Sequence, residues 1–169
     1  TPQAAPALKE IFNMARLQHI AEQTTAIYPG FDTPAFLAHV AHDLDSQSLM
    51  QRLNRVSRGL HAGLPADYPE ALGILYQLAP RLNSSFVSLI LPEYVALYGQ
   101  HDFERSMQAL KFFTTFGSSE FGVRHFLRLD FPRALGIMQG WSQDENEHVR
   151  RLASEGSRPR LPWSFRIEP

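Results

Sequence analysis

Apolar residues in this chain recur every three or four positions along its length, and a convincing two-residue alternation is absent. That period confines the fold to helices. Leu49, Leu53, Val56 and Leu60 show it most clearly, advancing by 4, 3 and 4 along one continuous face. Proline and glycine cut the pattern into short lengths.

The first length carries Leu8, Ile11, Phe12, Ala15, Leu17, Ile20, Ala21 and Ile27, and Tyr28-Pro29-Gly30 stops it. Thr33-Pro34 reads as an N-cap followed by proline at the first helical position, ahead of Phe36, Leu37, Val40 and Leu44. Gly63-Leu64-Pro65 ends the helix of Leu49–Leu60. The next is predicted over Tyr68–Leu78, with Asp67 as its cap.

Pro92 interrupts an apolar stretch from Ser85 to Tyr98, which predicts a broken helix restarting at Pro-Glu-Tyr-Val. Asp102 is the expected cap of a helix lined by Phe103, Met107, Leu110 and Phe113. Further helices follow over Glu120–Leu129 and from Phe131-Pro132, the latter facing inward with Leu135, Met138 and Trp141. Asp144-Glu145-Asn146 turns into a last helix that Gly156 stops.

About nine short helices with short connections and no heptads predict an all-α chain. The expected architecture is an α-solenoid of HEAT-like antiparallel helix pairs, a curved superhelix, in one domain over residues 1–169.

Charge is unevenly placed, although the net value is only −1. Residues 1–123 carry eight Lys/Arg against eleven Asp/Glu, net −3, and residues 124–169 carry eight Arg against six acids, net +2. Five arginines stand against one acid between Arg150 and Arg166. This asymmetry suits an anionic partner of the C-terminal part, though a basic run is also an ordinary solvated face.

The chain has no cysteine, which excludes disulfides and thiolate metal sites. No apolar run approaches the ~18 residues needed to span a bilayer, so the expectation is a soluble, cytoplasmic protein without membrane attachment. The seven histidines form no metal-ligand spacing, and no glycine-rich phosphate cradle or nucleophilic triad occurs. Neither metal nor cofactor is expected.

Two acids and an aromatic residue stand out. Glu120 opens a helix, where the helix dipole alone would account for it. Glu155 closes one, where a carboxylate is electrostatically unfavourable. Placed beside Arg150, Arg151 and Arg158, it is either held in an ion-pair network or available for chemistry. Trp163 follows Leu161-Pro162 in an extended tail, as a packed anchor or as a ring offered to a ligand. Arg150, Arg151, Arg158 and Arg160 suit either local pairing or oxyanion contacts.

These residues sit in segments that resemble a known family. FFTTFGSSEFGVRHFL (Phe112–Leu127) and WSQDENEHVRRLASEGSRPRLPW (Trp141–Trp163) look like the AlkC branch of the HEAT-like DNA alkylation repair glycosylases. ILPEYVALYGQHDFERSMQAL (Ile90–Leu110) and AIYPGFDTPAFL (Ala26–Leu37) are similar to its N-terminal portion, so the likeness covers nearly the whole chain.

The resemblance implies a monomeric, monofunctional glycosylase that removes cationic methylated bases, chiefly 3-methyladenine and also 3-methylcytosine, from double-stranded DNA. It also implies a concave basic surface and excision without a deep base-flipping pocket. Carried over by position, Glu120 and Glu155 are the implied catalytic acids and Trp163 the aromatic contact to the lesion. Arg151 and Arg158 match arginines near the DNA, and Arg124, Arg150 and Arg160 join them as candidate lesion or DNA contacts. In the family a further helical repeat with another catalytic aspartate follows RPRLPW, so this chain is expected to be an N-terminal or truncated portion. The alternative is a non-catalytic HEAT-like module that grips nucleic acid or protein.

Overall fold

The computed structural model describes residues 7–158, and Arg160 and Trp163 lie outside them. Within that span the chain is entirely helical, with nine α-helices, four short 3-10 turns and no strand. None of these helices is long and apolar enough to cross a membrane. The short helices follow one another across brief connections and pack on their neighbours, as in a HEAT-like solenoid. The chain divides into two compact units, Thr1–Ile74 and Leu75–Pro169, with the boundary inside one helix.

The first unit opens with a 3-10 turn, Leu8–Phe12, then α1 (Met14–Ile27), α2 (Thr33–Val40) and α3 (Leu49–Gly63). The apolar period predicted here is broken once, because the Asn13 side chain accepts from the Arg16 backbone N–H and starts α1 afresh. The cap of α2 is Asp32 rather than Thr33. Its carboxylate accepts from the Ala35 N–H at 3.0 Å, and the Thr33 hydroxyl lies 3.3 Å from that of Thr25. Leu44 falls beyond α2 in a 3-10 turn that follows Asp43, whose φ of 55° is left-handed.

Phe12, Leu17, Ile20, Phe36, Leu53, Val56 and Leu60 form the buried core of this unit. Arg52 is buried among them and acts as a staple. Its guanidinium donates to the carbonyls of Lys9, Phe12, Leu44 and Gln47, joining the first turn to the start of α3.

α4 (Tyr68–Leu78) carries the boundary, and Asp67 caps it by accepting from the Glu70 N–H at 3.0 Å. The second unit continues with α5 (Ile90–Tyr98), α6 (Phe103–Phe113), α7 (Glu120–Leu129), α8 (Phe131–Trp141) and α9 (Glu147–Glu155). A 3-10 turn at Val87–Leu89 leads straight into α5, so the helix begins before Pro92. Proline there lies in the first turn, where its missing N–H leaves no helical bond unmade. Asp102 precedes α6 without capping it, because its carboxylate takes the Arg105 guanidinium at 2.8 Å instead.

α7 packs against α5, α6 and α8, and α9 packs against α8 and α6. Leu110, Phe113, Val123, Phe126, Leu127, Met138 and Leu152 are fully buried between them. Trp141 is only 4% exposed, as its place on the inward stripe of α8 predicts. Lys111 at the end of α6 reaches Asp144 at 3.2 Å and ties the turn before α9.

Candidate active site

The loop from Thr114 to Ser119 sets the start of α7. The Ser119 hydroxyl donates to the Leu110 carbonyl at 2.8 Å, and its N–H donates to the Thr114 hydroxyl at 3.3 Å. Gly117 lies so close to the Ser85 carbonyl that a Cβ would meet that oxygen at 2.3 Å. Only glycine allows this approach. The Ser118 hydroxyl accepts the Glu120 N–H at 3.2 Å. Glu120 is thereby held in place, with 7% of its surface exposed.

α9 brings the second acid. Asn146 caps it through the N–H groups of His148 and Val149, and Val149 and Leu152 are buried. That register places His148, Arg151 and Glu155 on a shared outer side, at spacings of three and four. Arg151 Nε donates to Glu155 Oε2 at 3.0 Å, and its Nη2 lies 3.7 Å from Glu120 Oε1. Arg151 thus bridges the two carboxyls, which lie close enough to influence each other's protonation. Glu120, Glu155 and Arg151, from two helices, therefore form one cluster.

The two acids are driven apart electrostatically. Burial raises the pKa of Glu120 above the ordinary value, and the neighbouring Glu155 raises it further, against the opposing pull of Arg151 and Ser118. The Arg151 hydrogen bond lowers that of Glu155, reinforced by Glu120 and by the charges of Arg151 and Arg158. Glu120 therefore holds its proton to higher pH than Glu155 does.

A groove of about 310 Å³ opens beside this cluster. Glu120 and Arg151 line it together with Ser85, the Thr114–Ser118 loop, His148 and Leu152. The sequence offers Ser118 only as a serine without triad partners, and it does not single out His148. The signal for His148 was its spacing of three and seven from Arg151 and Glu155 on one helix.

The remaining arginines are placed differently. Arg150 donates to the carbonyls of Asp144 and Glu145 at 2.7 and 2.9 Å, from an exposed position. Arg158 is exposed just past α9. Arg124, expected at the DNA, is instead wholly buried, with Nη1 donating to the carbonyls of Arg158 at 2.8 Å and Gly156 at 3.4 Å. Among the described residues no group of three or more histidines and acids is placed to hold a metal ion.

No family model matches the chain. The uncharacterized protein YhaZ of Bacillus subtilis (strain 168) is 42% identical over 161 residues, 95% of this chain and 45% of that protein. A solved structure of Pseudomonas fluorescens alkylpurine DNA glycosylase AlkC, bound to DNA containing an abasic site analog, matches with a TM-score of 0.93 and 68% identity. The match covers 97% of this chain and 46% of that one. The chain thus spans about half the length of the relatives it matches.

Proposed function

The chain belongs to the AlkC branch of the HEAT-like DNA alkylation repair glycosylases over the region it shares with them, and from that premise we propose that the full-length protein excises alkylated bases from DNA. The bases are cationic N3-methylated ones, 3-methyladenine and 3-methylcytosine, and the bond hydrolysed is the N-glycosidic bond. The observation that carries this reading is the Glu120–Glu155–Arg151 cluster beside the groove.

Methylation at N3 gives the base a positive charge, so it departs as a neutral molecule with little need of a general acid. Positive charge develops on the sugar instead, as in other glycoside hydrolyses, and a nearby carboxylate stabilises it or orients the attacking water. Glu155 suits that role, because Arg151 fixes its orientation and keeps it ionised. Glu120 lies on the other side of Arg151 and keeps its own proton to higher pH. Arg150, Arg151 and Arg158 contact flanking phosphates of double-stranded DNA, and Trp163 and Arg160 complete the lesion and DNA contacts.

The test is to incubate the full-length protein with methylated DNA and identify the released bases by chromatography. Release of 3-methyladenine and 3-methylcytosine is expected. DNA binding without release of any base would leave the non-catalytic module instead.

A further inference from the structure

Arg124 is wholly buried on α7, one turn beyond Glu120. Taking a guanidinium out of water is costly and is tolerated where it holds something in place. Here it holds the end of α9. Its Nη1 donates to the carbonyls of Gly156 and Arg158, both beyond the last helical residue, Glu155. The chain folds back at this point, since the Arg158 N–H donates to the Glu155 carbonyl at 3.2 Å.

Gly156 shows how tightly the helix end is pressed on α7. A Cβ there would lie 2.7 Å from the Leu152 carbonyl oxygen and 2.9 Å from Val123 Cγ1. α7 therefore contributes Glu120 to the acid pair and, four residues later, the clamp on the segment that carries the other acid.

We infer that Arg124 is a positioning residue, which sets Glu155 against Glu120 by gripping the backbone just past α9. The inference rests on the proposed role of Glu155 in catalysis and needs no contact between Arg124 and DNA.

Two readouts in the full-length protein test it. ¹³C-carboxyl NMR follows the titration of Glu120 and Glu155 in wild type, Arg124→Met and Arg124→Lys. Single-turnover assays follow base release, alongside affinity for DNA containing an abasic site. In Arg124→Met the Glu155 carboxyl is expected to titrate nearer the ordinary glutamate range. Release should fall on the order of 100-fold, the scale of a misplaced catalytic group, while affinity stays within about threefold. Arg124→Lys keeps a charge but not the fork, and should recover part of both effects.

Unchanged titration or an unchanged rate in the folded variant overturns the inference. So does a loss of affinity with a shallower salt dependence, which would place Arg124 on a phosphate. If Arg124→Met does not fold, Arg124→Lys is read by the same outcomes. If wild type releases no base, the proposed function fails, and the titration alone decides the role of Arg124.

Discussion

Glu155 accepts a 3.0 Å hydrogen bond from Arg151, one turn before it on α9, so the acid at the end of the helix is paired by its own helix. The order is the weaker one for helix stability, since an acid does better N-terminal to its basic partner and away from the C-terminus. The same Arg151 lies 3.7 Å from Glu120 at the start of α7. Helix stability does not account for this placement, whereas a carboxylate held beside a second one does.

The pH dependence of stability should differ in sign between the two acids. Glu120 has its folded pKa raised by burial and by Glu155, so its contribution falls as pH rises from about 4, the unfolded value, through the raised one. Glu155 has its folded pKa lowered by Arg151, so its contribution is present above about 4 and is lost as pH falls through the lowered value. Relative to wild type, Glu120→Gln should therefore gain stability as pH rises through that window, while Glu155→Gln should lose it. Thermal unfolding between pH 3 and 7, roughly spanning ordinary glutamate titration, reads both slopes. The same slope in both variants would contradict the opposite shifts of the two acids.

Arg52→Met should cost about 3 kcal/mol, because it leaves four carbonyls, buried or part-buried, without their donor. Urea denaturation measures it. A loss below roughly 0.5 kcal/mol, as for an ordinary surface change, would show that the staple is dispensable.

Gly117→Ala should destabilise by about 2 kcal/mol, since the new methyl would meet the Ser85 carbonyl. The same change displaces the loop that holds Glu120, so base release should fall more than stability alone explains. Denaturation and activity measured on one preparation separate the two effects.

Arg158→Ala should weaken binding to methylated and unmethylated DNA about equally and reduce the slope of log affinity against log salt by about one. Fluorescence anisotropy across a salt series measures it. An unchanged slope would place Arg158 away from phosphate.

Much of the helical layout is legible in the sequence. α4 and α7 run over the residues that periodicity and turn signals predict, and Trp141 is buried on its stripe. Caps are less legible, because several side chains compete for each. Asp32 takes the N–H that Thr33 was expected to serve, and Asp102 spends its carboxylate on Arg105. The oddity of Glu155 at a helix end is visible from helix polarity alone. Its meeting with Glu120 is not, since it depends on how the helices carrying two acids 35 residues apart in sequence pack. Nor is the inward course of Arg124, because periodicity marks a face as polar without saying which backbone lies against it.

The central claim is that Glu155 acts in base excision, and single-turnover release of 3-methyladenine by full-length wild type and Glu155→Gln tests it most directly. The substitution removes the charge while keeping the shape, so release should fall roughly a hundred- to a thousandfold, as when a transition-state stabilising group is lost. Affinity for unmethylated DNA should remain nearly unchanged. Equal release by the two proteins would contradict the account.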